Sequence, residues 1–444
     1  MTDILISPPN SKVKEKQQMS EVIPKAILIP FVLLTACFAL WGLANNMTDV
    51  LIAQFRKVFT LTDMQSGLVQ TAFYGAYFVL ALPAALFIQR YSYKAGVLLG
   101  LGIFAFGGIL FYPAAQMMEY LPFLMALFVL AGGLSILETS ANPYIIAMGP
   151  QETATRRLNI AQAFNPVGSI TGVLIGKIYI LSQLHPATDI ERVAMTSEQL
   201  ATIQTSELNA VMMPYLGVAA AIVVVWLAIA FTKMPHAKDM AATNSIDNTL
   251  SATFGRLMQR KHFVRGVIGQ FFYIGAQIGC WSWTIRYVMT QVGGTEVEAS
   301  DFLLASIVVF SAFRFICVGL MKYIAPEKLL AALALVAALL VLVLMTSGGV
   351  IGAYALVGIS ACMSLMFPTI FGLSLQDLGS DSKFGGSCLI MAILGGAVLT
   401  AIMGKLSDSM GIQMAFIIPL IGFIYLIYFG VQGYKVEKSN SIVK

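Results

Sequence analysis

The sequence predicts an all-α membrane protein with twelve transmembrane helices in two six-helix bundles. Three observations predict it. Hydrophobic residues make up 58% of the chain and charged residues only 11%, where a soluble protein carries about a quarter of its residues as charges. Twelve apolar stretches reach the roughly 20 residues that take a helix across about 30 Å of hydrocarbon. The longest loop, "TKMPHAKDMAATNSIDNTLSATFGRLMQRKHFVR", is polar and basic and falls between the sixth stretch and the seventh. Apolarity is unbroken within each stretch, which excludes a barrel, whose strands alternate over about ten positions.

The first span is expected over Ala26 to Met47. The polar head before it, with "KVKEKQQ", resembles no cleavable signal peptide, so this span should stay as an anchor. The second runs from Ser66 to Ile88 and the third from Ala95 to Ala115, joined by the basic "RYSYK". The fourth, Leu121 to Met148, carries the polar group "LETSANP"; the fifth and sixth are Leu158 to Leu181 and Val211 to Phe231. Beyond the long loop follow Val267 to Tyr287, Phe302 to Met321, Leu329 to Met345, Val350 to Leu373, Phe384 to Met403 and Ile412 to Val431. The resulting division is an N-terminal bundle with its polar tail (1–232), a connecting loop (233–265) and a C-terminal bundle with a short tail (266–444).

Basic loops stay in the cytoplasm. With the N-terminus inside, most of the 27 Lys and Arg fall on the inner side, so both termini are predicted cytoplasmic. The same bias accounts for the net charge of +5, and no basic cluster interleaved with aromatics points to nucleic acid. Cys37, Cys280, Cys317, Cys362 and Cys388 all lie within spans and show no C-x-x-C spacing, which argues against a disulfide framework or a zinc site. No metal or cofactor is expected. A phosphate loop of the G-x-x-x-x-G-K-[ST] type is missing, which argues against ATP as energy source. His185, His236 and His262 stand in loops, so no nucleophile has an intramembrane imidazole base and enzymatic chemistry is not indicated.

The halves carry a faint internal repeat. Writing the fifth span over the eleventh matches Gly168 with Gly396, Gly176 with Gly404 and Lys177 with Lys405; Pro143 pairs with Pro368 when three residues are inserted after the fourth span. Repeated halves are a common plan among secondary transporters. Small residues also recur in membrane helices for packing alone.

Acids inside the bilayer cost about 2.5 to 3.5 kcal/mol on insertion scales, which makes Asp49 in "LANNMTDV" and Glu138 in "LETSANP" functional candidates. Arg314 is the cation at comparable depth. Helical spacing puts Asn45 and Asn46 on the face of Asp49, and Asn142 on that of Glu138. Gln162 and Asn165 form a second stripe; Tyr273, Gln277 and Trp281 form a third. Trp281 fits an interface anchor or a packing residue equally well. Prolines 143, 166 and 368 would free the carbonyls of Thr139, Gln162 and Ser364. Such groups are tolerated at membrane depth where they line a cavity or find a protein partner. A central hydrated cavity follows, although interhelical hydrogen bonding and simple kinks account for any single Asn or Pro as well. Amides, a carboxyl and aromatic faces suit a neutral polyhydroxylated guest, a sugar. Any proton coupling must run through carboxyl groups, since no histidine is at depth.

Twelve spans with a basic middle loop, and the segments "RYSYK" and "MKYIAPEK", resemble the major facilitator superfamily. The stretches "ANNMTD", "LVQTAFYGAYF", "LPAALFIQRYSYKAG", "LETSANP", "RLNIAQAFN", "YIGAQIGCWSWTIRY" and "MFPTIFGLSLQDLG" are similar, over nearly the whole chain, to its fucose/glucose/galactose permease family. The resemblance implies the major facilitator fold and a proton symporter of the bacterial inner membrane that imports L-fucose or a close hexose by alternating access. It places Asp49 and Glu138 as the coupling acids, with Glu138 also near the sugar. Asn46, Gln162 and Asn165 become cavity residues, and Arg314 matches the arginine of the eighth span. Phe367 departs from the pattern, which has tyrosine there, and so removes one sugar contact and leaves glucose or galactose open. Sodium coupling and a sensor that binds without transporting are the rival readings. One chain in the lipid bilayer is expected to hold the complete path as a monomer.

Overall fold

The computed structural model describes residues 21–59, 68–183, 185, 189–235, 250–293 and 295–436, almost entirely as helix. The first four spans are α1 (Leu28–Val58), α2 (Leu68–Arg90), α3 (Tyr93–Met117) and α4 (Tyr120–Ala147). The fifth is split into α5 (Ala154–Gln162) and α6 (Asn165–Ile175). A short α7 (Asp189–Ala194) precedes the sixth span, α8 (Ser197–Phe231). At 35 residues, α8 is about 52 Å long and so overshoots the hydrocarbon. Its polar first turns begin at a capping box in which Thr196 accepts from the Gln199 backbone and Gln199 accepts in return. The guanidinium of Arg192 on α7 is clamped by Glu207 of α8 at 2.5 and 2.9 Å, with both side chains fully buried.

The sequence treats 233–265 as loop, but within it α9 (Leu250–Gln259) forms and the seventh span, α10, already starts at Lys261 (Lys261–Gln291). The eighth and ninth spans are α11 (Glu296–Leu320) and α12 (Pro326–Ser347). The last three are broken: α13 (Gly349–Met363) with α14 (Met366–Ser374), α15 (Ser382–Met391) with α16 (Gly395–Met410), and α17 (Ile412–Ala415) with α18 (Ile417–Tyr428). Among the described residues, eleven spans are long and apolar enough to cross a membrane by length and composition alone. The remaining one, α10, is diluted by Gln270, Gln277, Arg286 and its basic first turns.

The halves follow one packing plan. In the first, span 1 packs on 5 and 6, span 2 on 4, and span 3 on 4 and 6; in the second, 7 packs on 11 and 12, 8 on 10, and 9 on 10 and 12. The aligned glycines explain one pair of these contacts. A Cβ on Gly168 would strike the Ala39 carbonyl of α1, and one on Gly396 would press Ile274 and Ile278 of α10. Glycine lets each helix approach the first of its own half closely. The breaks also correspond: α5 ends at Gln162, ahead of Pro166, and α15 ends at Met391, which the same alignment sets opposite Ala163.

Proline does not act uniformly. Helix α4 runs through Pro143 unbroken, whereas spans 5 and 10 break before Pro166 and Pro368. The carbonyl of Met363, at the break in span 10, is taken by the Tyr273 hydroxyl at 3.1 Å.

Candidate functional site: a polar cavity between the halves

Both halves wall a central cavity. Trp41, Asn45 and Asn46 reach it from α1, Tyr74 and Tyr77 from α2, and Gln162 and Asn165 from the two sides of the fifth-span break. Tyr273, Gln277 and Trp281 face it from α10, Phe310 and Arg314 from α11, and Phe367 from α14. The three stripes read from the sequence therefore meet in one place.

Glu138 and Asn142 stand one side chain behind that wall. The Tyr77 hydroxyl donates to Glu138 Oε1 at 2.7 Å and accepts from Trp41 Nε1 at 2.8 Å. Glu138 is 1% exposed, and among the described residues its Oε2 has no hydrogen-bond partner. Asn142 donates from Nδ2 to the Glu138 carbonyl at 3.0 Å and accepts at Oδ1 from Gln162 Nε2 at 2.6 Å. That bond fixes the Gln162 amide and leaves its Oε1, without a partner among the described residues, as an acceptor at the wall. Asn46 is tied to the Gly42 carbonyl and Asn165 to that of Phe38, each at 3.2 Å. Asp49 belongs to α1 by its backbone; its side chain lies outside the described residues.

On the opposite wall Trp281 donates to Ser360 Oγ at 3.1 Å. Arg314 is 3% exposed, with its guanidinium 5.2 Å from the Phe310 ring centroid. Stacking of this kind contributes about 2 kcal/mol when desolvated. Among the described residues its Nε has no hydrogen-bond partner and no acid forms an ion pair with it. Phe367 joins the halves: its ring lies 6.4 Å from Trp41, 6.5 Å from Tyr273 and 6.1 Å from Phe371. The cavity thus offers amides and a cation on its sides and an aromatic floor beneath.

Below that floor, toward the termini, the halves close on each other. Asn159 of α5 donates to Thr369 Oγ1 of α14 at 3.2 Å, and α15 packs on α2 and α4. Glycines allow the approach: a Cβ on Gly372 would lie 2.7 Å from Thr155 Oγ1, and one on Gly386 would lie 2.8 Å from the Pro143 ring. Trp41 and Tyr77 escape the sequence reading because aromatic residues blend into the apolar pattern. The available signal was the need of a buried phenol or indole for a hydrogen-bond partner.

Two half-bundles of one plan closing around a polar midplane cavity define the secondary-transporter class of membrane protein. The chain belongs to the Major Facilitator Superfamily, whose family model matches residues 32–382. It is 41% identical to the L-fucose-proton symporter of Escherichia coli (strain K12) over 91% of this chain and 93% of that one. It is 38% identical to the glucose/galactose transporter of Brucella abortus biovar 1 (strain 9-941), over 90% of this chain and 93% of the relative. Among solved structures it resembles the transporter FucP in the outward conformation, with a TM-score of 0.86 and 40% identity over 91% of this chain and 99% of the other.

Proposed function

We propose that the protein is a proton-coupled symporter that imports L-fucose or a closely related hexose across the bacterial inner membrane, with both termini cytoplasmic. The observation that carries this reading is a buried acid, Glu138, connected by one hydroxyl to a cavity lined with amides and aromatic rings. Its relatives named for fucose–proton symport support it. Residues 1–232 and 266–444 rock about the midplane as two bodies, with 233–265 as their connection, and one chain in the bilayer suffices. Asp49 and Glu138 take and release the proton. Asn46, Gln162, Asn165, Gln277 and Arg314 hold sugar hydroxyls, while Tyr273, Trp281 and Phe367 face its apolar side. Asn142 and Glu138 act on the sugar through Gln162 and Tyr77.

Sugar-driven proton uptake into vesicles tests this. Glu138→Gln and Asp49→Asn are each expected to abolish coupled accumulation, and Glu138→Gln to spare sugar exchange; normal coupled uptake by either would refute its role. Phe367, which brings no hydroxyl to the floor, favours a second reading as a glucose or galactose carrier. Competition of labelled L-fucose with unlabelled hexoses separates the two. Replacing sodium by potassium at constant pH leaves uptake unchanged under proton coupling and abolishes it under sodium coupling. Tight binding without uptake would mark a sensor.

A further inference from the structure

Trp41 and Glu138 converge on one oxygen, that of Tyr77, a residue that also lines the cavity. We propose that Tyr77 is a positioning residue that turns its single hydroxyl hydrogen between Glu138 and the cavity, and so makes sugar binding depend on the charge of that acid. The inference rests on the proposed reading of Glu138 as a coupling acid.

The geometry limits the choices. An indole N–H only donates, so Trp41 holds one lone pair of the Tyr77 oxygen at 2.8 Å whatever the state of Glu138. An ionised carboxylate only accepts, so the Tyr77 hydrogen then points at Oε1, 2.7 Å away. When Glu138 takes up one proton on Oε1, the carboxyl becomes the donor and occupies the second lone pair of Tyr77. The Tyr77 hydrogen is displaced toward the cavity, where it can donate to a guest hydroxyl. Tyr77 neither gains nor loses a proton; the one gained by Glu138 leaves it again on release. The guest meets an additional donor only in the protonated state, and by linkage its binding raises the proton affinity by the same factor.

Among the described residues, several other ionisable groups on the helices packed around α4 are engaged elsewhere. On α3, Lys94 is bonded to the Ala230 and Thr232 carbonyls, and Tyr93 stacks on Tyr144 of α4 itself. On α5, Arg157 holds the carbonyls of Ile145 and Ile146. Lys383 of α15 lies over the Tyr93 ring. Tyr74 faces the cavity from one turn earlier on α2, and α1 carries Asp49, whose side chain is outside the described residues.

The test is L-fucose binding to purified protein at acidic and alkaline pH. The unsubstituted protein is expected to bind about tenfold more weakly at alkaline pH, the effect of one hydrogen bond. Glu138→Gln should lose this response. Tyr77→Phe should also lose it, held at the weaker affinity. A full pH response in Tyr77→Phe, with none in Glu138→Gln, overturns the role of Tyr77 and leaves the coupling acid standing. A full response in Glu138→Gln overturns both. Should Tyr77→Phe fail to fold, infrared difference spectra of the unsubstituted protein on adding L-fucose at acidic pH decide. A tyrosine C–O band that shifts together with a carboxyl band lost in Glu138→Gln supports the switch; an unmoved tyrosine band overturns it.

Discussion

Asn142 touches no guest in this arrangement, yet it holds the amide of Gln162 at 2.6 Å and so decides which atom of that amide faces the cavity. Asn142→Ala frees the amide to rotate. The expected outcome is roughly tenfold weaker sugar binding with its pH dependence intact, as measured by equilibrium binding at two pH values. Residues such as Gln162, Asn165 and Arg314 were legible in the sequence because an amide or a guanidinium in a helix of membrane length has to turn toward protein. Depth behind a wall was not legible. Helical spacing gives a side chain's neighbours on its own helix, whereas the distance from Glu138 to the cavity depends on the packing of α2 against α4, through which Tyr77 intervenes.

Among the elements, the spans followed directly from apolar length, and their breaks did not. Pro143 and Pro368 carry the same local chemistry, but α4 continues through the first while span 10 parts before the second. The difference lies in tertiary partners. Tyr273 from α10 takes the Met363 carbonyl at the break in span 10. Gly372 on α14 and Gly386 on α15 allow the second half to press against the first on the terminus side. A valine at Gly372 would meet both the hydroxyl and the backbone of Thr155. Gly372→Val is therefore expected to slow transport at least tenfold, in the range of overpacking costs of about 1–3 kcal/mol. It should also open the cavity from the terminus side, as read by alkylation of a cysteine placed at the wall.

At the scale of the molecule, the repeat that four aligned pairs of residues only hinted at is a correspondence of the main helix neighbours between the halves. The amphipathic α9 and the long polar start of α8 were not foreseen, because a search for apolar length passes over polar helices. If transport requires the halves to separate on the terminus side, a covalent link there must stop it. Cysteines replacing Asn159 and Thr369, whose side chains are in contact at 3.2 Å, are expected to block uptake on oxidation and to restore it on reduction. Each single cysteine, carried through the same oxidation and reduction, serves as the control.

The discontinuity in the fifth span ties these scales together. Its piece on the terminus side, α5, is fastened to the opposite half through Asn159, while the other piece, α6, is pressed onto α1 through Gly168 and Gly172. Gln162, the last residue of α5, and Asn165, the first of α6, flank the gap between them. A molecule lodged against both amides straddles a mechanical joint, so its grip bears on whether the two pieces swing together or apart.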